Sequence, residues 1–169
     1  FDAPMVTRRM WCLFEVVMAT LHNVPISVTL PPSQESRLVT RIMERNGHEI
    51  LIGVMTAIDS SKADASVRAD LDHIRRLIET EVKGGYRAVD AIFKAVIREW
   101  VLGLLSTLLA TFDDGTAKQA LFAATCGLIM EGVGDYPKAI EFHDKSLKIG
   151  LKVLGPEHPS VATSYNNVG

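Results

Sequence analysis

Gly134-Asp135-Tyr136-Pro137-Lys138-Ala139-Ile140-Glu141-Phe142 decides how this chain is read. Together with Gly132 and Val133 it forms a glycine and acidic turn between two helical patterns. Upstream, the spacing predicts a helix over Ala117–Glu131 with small residues at Ala120, Ala123, Ala124 and Gly127. Downstream, a helix from Tyr136 to about Leu154 places Ala139, Phe142, Ser146, Leu147 and Ile149 along its inner side. Small residues where two helices cross, a tight turn between them and a large residue filling the next groove are what a stacked helix pair needs.

The same nine residues resemble the Gly-Asp-Tyr-x-x-Ala-Ile-x-Phe/Tyr core of the tetratricopeptide repeat. Leu154-Gly155-Pro156-Glu157-His158-Pro159-Ser160-Val161-Ala162 is similar to the long linker of kinesin-light-chain-type repeats, and Ser164-Tyr165-Asn166-Asn167-Val168-Gly169 looks like the start of the next unit. Gly127 and Gly169 stand 42 positions apart, the unit length of that subtype. Two residues depart from the family pattern: His143, where an aromatic ring is usual, and Ala123, in place of a bulky first-helix residue.

The resemblance implies that residues 113–169 hold one unit and the start of another in an α-α superhelix that binds proteins. First-helix residues line the concave side of such arrays, which here means Leu121, Ala124, Leu128 and, in the next unit, Asn166. The amides of Asn166 and Asn167 could bond the backbone of an extended peptide, or simply stand in solvent. Roughly three units are needed to bury such faces. The open face therefore expects further units, or cover from a helix over Tyr86–Thr111.

Working outward, Met10, Leu13, Phe14, Val17, Met18 and Leu21 recur at three and four and predict a helix over Thr7–His22, ended by Asn23. Ile26-Ser27-Val28-Thr29-Leu30 alternates apolar and polar residues, several β-branched, and predicts the one strand of the chain. Pro31 and Pro32 stop it. Ser33 is positioned to cap a helix running to Arg45, which Asn46-Gly47 closes. Glu49–Ile58 is apolar without a clear period and is assigned to helix. Two long amphipathic helices, Ala65–Val82 and Tyr86–Thr111, joined by Lys83-Gly84-Gly85, form an antiparallel connector over residues 59–112. Asp113-Asp114-Gly115 is read as a turn rather than as an acid and base pair.

Trp11-Cys12-Leu13-Phe14-Glu15-Val16, with the strand that follows, resembles the Trp-Cys-x-x-Glu helix and strand of TIR domains. It would make residues 1–58 the C-terminal remnant of such a domain. In TIR enzymes the matching glutamate contacts the ribose of NAD, so the resemblance carries that role to Glu15. The neighbours of Glu15 on a helix are Trp11, Cys12, Met18 and Ala19. That apolar setting puts its carboxylate at a pocket lip or partly out of water, unless it reaches solvent or pairs with Arg8. Only Phe1–Arg9 precede this helix, so no NAD cleavage is expected of these residues alone. It is the alternative activity of a longer parent.

Charge excludes other classes. A net charge of −2 and a pI near 6.2 leave no surplus to neutralise phosphates, so neither nucleic acid nor an anionic membrane is expected as a partner. Val101–Phe112 is the most apolar stretch and falls short of the ~20 residues that cross a bilayer. His22, His48, His73, His143 and His158 lack metal-ligand spacing, so neither a metal nor a cofactor is expected. Cys12 and Cys126 sit among apolar neighbours, as suits a reducing cytoplasmic setting. The chain thus reads as mainly α: a small TIR-like remnant with one strand, a two-helix connector and the first unit of a repeat superhelix. Its expected role is protein or peptide binding in an intracellular signalling-like scaffold, with self-association through the repeats or cargo adaptation as further partner readings.

Overall fold

The computed structural model describes residues 9–44 and 46–168. Among these residues eight helices follow one another: α1 Met10–Leu21, α2 Pro32–Ile42, α3 His48–Thr56, α4 Arg68–Glu81, α5 Gly85–Leu109, α6 Ala117–Gly132, α7 Tyr136–Leu154 and α8 Pro159–Val168. A 3₁₀ turn, Ser60–Lys62, precedes α4. The mainly α expectation holds among the described residues. Thr7 and Arg8, at the start of the first predicted helix, lie outside them, as do Arg45 and Gly169.

The strand expected at Ile26–Leu30 is not formed. Among the described residues the β pairing is a single isolated bridge between Arg9 and Asp64. A strand exists through hydrogen bonds to a neighbour, and no backbone amide from Ile26 to Leu30 has one among the described residues. The alternation survives without a ladder: Ile26, Val28 and Leu30 are half-buried while Ser27 and Thr29 are exposed. The TIR-like remnant therefore lacks the strand assigned to it.

Ser33 does not cap α2 either. That helix starts at Pro32, and the carbonyl of Pro31 accepts from the amides of Gln34 and Glu35 at 2.8 and 3.0 Å. Proline suits the first helical position because its missing amide is not needed there. The helix ends at Ile42, and Asn46 takes a left-handed φ of 66° in the following turn.

The chain divides into two compact units. The first is built from described residues of Phe1–Glu35 with Gly53–Trp100. Here Met10, Leu13, Phe14 and Val17 of the stripe foretold by spacing are buried, while Met18 is half-buried and Leu21 exposed. The helix α1 packs on α4, where Leu71, Ile74 and Ile78 are buried. Two polar ties fix that pairing: the Met10 amide donates to the Asp64 carbonyl at 2.9 Å, and the Trp11 indole donates to Asp70 Oδ2 at 3.3 Å. Ser60 is fully buried, its amide donating to Asp90 Oδ1 at 2.8 Å and its hydroxyl to the Tyr86 carbonyl. Tyr86 in turn lies near Arg75 and Glu79 of α4. A shallow hollow in this unit is lined by Ile26, Val28, Val96 and Trp100.

The second unit comprises Ser36–Ile52 and Val101–Gly169. Leu38, Ile42, Leu51, Val101, Leu105 and Leu109 are buried there. The rings of Phe112 and Phe122 stack with centroids 5.0 Å apart, an arrangement that adds to burial alone.

Candidate functional site

The hairpin of α6 and α7 is assembled from local signals. Thr116 caps α6, its hydroxyl accepting from the Gln119 amide at 3.2 Å. The Gln119 side chain is buried because the preceding turn satisfies it at both ends. Its Nε2 donates to Asp114 Oδ1 at 3.0 Å, and its Oε1 accepts from the Gly115 amide at 2.9 Å. Asp114 thus anchors a turn. At the far end of α6 the Gly134 amide donates to the Glu131 carbonyl and the Asp135 amide to that of Met130, at 2.9 and 2.8 Å. Gly134 has a φ of 79°, a conformation that a side chain would strain. Asp135 then caps α7, accepting from the Lys138 amide at 3.3 Å.

Along the crossing, Ala120, Ala123, Cys126 and Gly127 of α6 are buried, as are Ala139, Phe142, Ser146 and Leu147 of α7. Ile149, predicted to share that inner side, is half-buried. The Ser146 hydroxyl donates to the Ala120 carbonyl at 2.8 Å and lies 3.4 Å from the hydroxyl of Ser164 on α8. Three helices thereby meet at one buried serine. Burial raises the Cys126 thiol to about 12, so it stays protonated and unreactive at neutral pH.

Sequence reasoning noticed His143 only as a departure from a pattern, whereas the structure buries it at 1% exposure. Gly127 makes the room. A methyl group at that position would come within 2.3 Å of the imidazole Cε1. Gly150 does a similar service between α7 and α8, where a Cβ would stand 3.3 Å from Val161. Both glycines sit at helix crossings.

The solvent-accessible residues of α6 form a stripe: Lys118, Leu121, Ala124, Thr125, Leu128 and Glu131. All three first-helix candidates fall on it. Leu121 is 70% exposed, which is unusual for a leucine, and it edges an apolar hollow of about 400 Å³ with Ile42, Met43, Phe112 and Phe122. Ala124 and Leu128 are half-buried. On α8, Asn166 is exposed and Asn167 half-buried. This helix starts at Pro159, so the last four residues of the expected linker are already helical.

Glu15 lies on α1 in the first unit and is exposed, reaching solvent instead of standing among its apolar neighbours. Among the described residues, no group of three His, Cys, Asp or Glu side chains is placed to hold a metal ion. No helix among them is long and apolar enough to cross a membrane.

No curated protein and no solved structure matches the chain. Residues 125–169, from the middle of α6 onward, match the tetratricopeptide repeat family.

Proposed function

We propose that the chain is a binding module of an intracellular, signalling-like scaffold protein, and that it takes extended peptides along the exposed stripes of α6 and α8. The observation that carries this is Leu121, a large apolar side chain 70% exposed beside an apolar hollow, in line with Ala124 and Leu128. Tetratricopeptide repeats generally mediate protein–protein interactions, which supports the class of partner. Asn166 and Asn167 supply amides that can both donate to and accept from a peptide backbone. Free Cys12 and Cys126 suit a reducing cytoplasmic compartment. The kinesin-light-chain subtype rests on the Leu154–Ala162 linker and the 42-residue spacing. Glu15, exposed and outside both hollows, lends the NAD-cleaving alternative no support of its own.

Selection of a displayed random-peptide library on the purified 169-residue chain tests the reading. Enriched peptides should lose about tenfold in affinity, roughly 1.4 kcal/mol, on Leu121→Glu, and less on Asn166→Ala. A selection whose peptides bind both variants as well as the parent would contradict it.

A further inference from the structure

His143 is the buried polar side chain of the hairpin that nothing satisfies. Ser146, Ser164 and Gln119 all have hydrogen-bond partners, whereas neither ring nitrogen of His143 has one among the described residues. Burying a neutral imidazole this way costs less than burying a charged one, so the closed hairpin selects the unprotonated ring. We propose that His143 makes the α6–α7 hairpin an acid-sensitive latch: the neutral ring lets the helices close over Gly127, and the protonated ring is driven out toward Glu131 and loosens the crossing.

Geometry supplies both halves of the latch. A Cβ at Gly127 would stand 2.3 to 2.6 Å from three atoms of the imidazole, so the ring occupies the space that the missing side chain leaves. The Glu131 carboxylate, one turn further along α6 and largely exposed, lies 3.9 Å from Nε2. That is beyond hydrogen-bond reach in the closed state and within reach once the ring swings toward solvent. The other charged groups nearby are committed or remote. On α7, Lys138 pairs with Glu141 and Lys148 with Asp144, while Lys145 is exposed. On α6 the Cys126 thiol stays neutral. The one titratable group of α8 is the exposed Tyr165. The α3 helix meets the end of α6 through Ile52 at Gly132, with His48 and Glu49 in its own first turn.

Burial lowers the His143 pKa from its ordinary value, with Glu131 opposing in smaller measure. The folded chain therefore binds fewer protons at this site than the unfolded one. The stabilisation is full above the ordinary histidine range and is lost as pH falls through it toward the lowered folded value. Within that window the opening equilibrium rises about tenfold per pH unit.

Urea unfolding of the whole chain at pH 7.5 and 5.5, for the parent and His143→Phe, tests this. His22, His48, His73 and His158 remain in both proteins, so the difference between them isolates one ring. The parent midpoint should fall by more than that of the variant on acidification. Equal falls would overturn the proposal. Should His143→Phe not fold, NMR titration of the parent decides. A His143 Cε1 proton titrating below the four other histidines, with α6–α7 resonances broadening as it does, supports the latch. One titrating among the others overturns it.

Discussion

Ile26–Leu30 and the α6–α7 hairpin differ in where their partners come from. The bonds and side chains that close the hairpin are supplied between Thr116 and Leu154: caps at Thr116 and Asp135, a left-handed glycine and a buried serine bonded across the crossing. The extended segment has no such supply. Its amides make no backbone hydrogen bond to another described residue, and Ile26 and Val28 line a hollow with residues of α5, far along the sequence. A repeat is a nearly closed local unit, so a short stretch of sequence specifies it. A strand is a statement about some other segment, and alternation alone does not provide that segment.

Mutations can break this comparison at either end. The largest effect belongs to Phe142→Ala, since Phe142 is buried in the crossing; we expect a loss of about 4 kcal/mol in urea-unfolding stability. Gly127→Val comes next, at about 3 kcal/mol, because the branched side chain collides with the His143 ring and the helices must part. Asp135→Ala removes one cap and should cost about 1 kcal/mol, seen as a lower thermal midpoint and faster exchange of the first α7 amides. The smallest effect is the most discriminating. Thr29→Pro deletes an amide that no ladder uses and should change stability by less than about 0.5 kcal/mol, whereas in a paired strand it would cost several times more.

The helices were legible in the sequence wherever an apolar stripe recurred at three and four. Met10, Leu13, Phe14 and Val17 are one case, and the α7 face of Ala139, Phe142 and Ser146 is another. The Gly134-Asp135 turn was equally readable, because its two residues carry their own conformational reasons. Three features were not. The partner of a strand is not written in the strand. The start of α2 depended on Pro32 taking the first helical position ahead of Ser33. The burial of His143 depended on an absent side chain at Gly127, and an absence has no hydropathy to detect. For the candidate site, the repeat resemblance pointed to Leu121, Ala124 and Leu128 on the first helix, but the hollow beside Leu121 draws on Ile42 and Met43 from a distant stretch and could not be foreseen.

Native-state amide hydrogen exchange, resolved residue by residue, tests the account most directly. The amides of α6 and α7 around Cys126, Phe142 and Leu147 should be among the slowest of their unit, with a fast break at Tyr136, the first residue of α7, separating them, and Val28 and Leu30 should exchange close to the rate of an unstructured chain. Protection of Val28 and Leu30 comparable to that of the helices, or protection of the Tyr136 amide equal to that of Cys126 and Phe142, would contradict it.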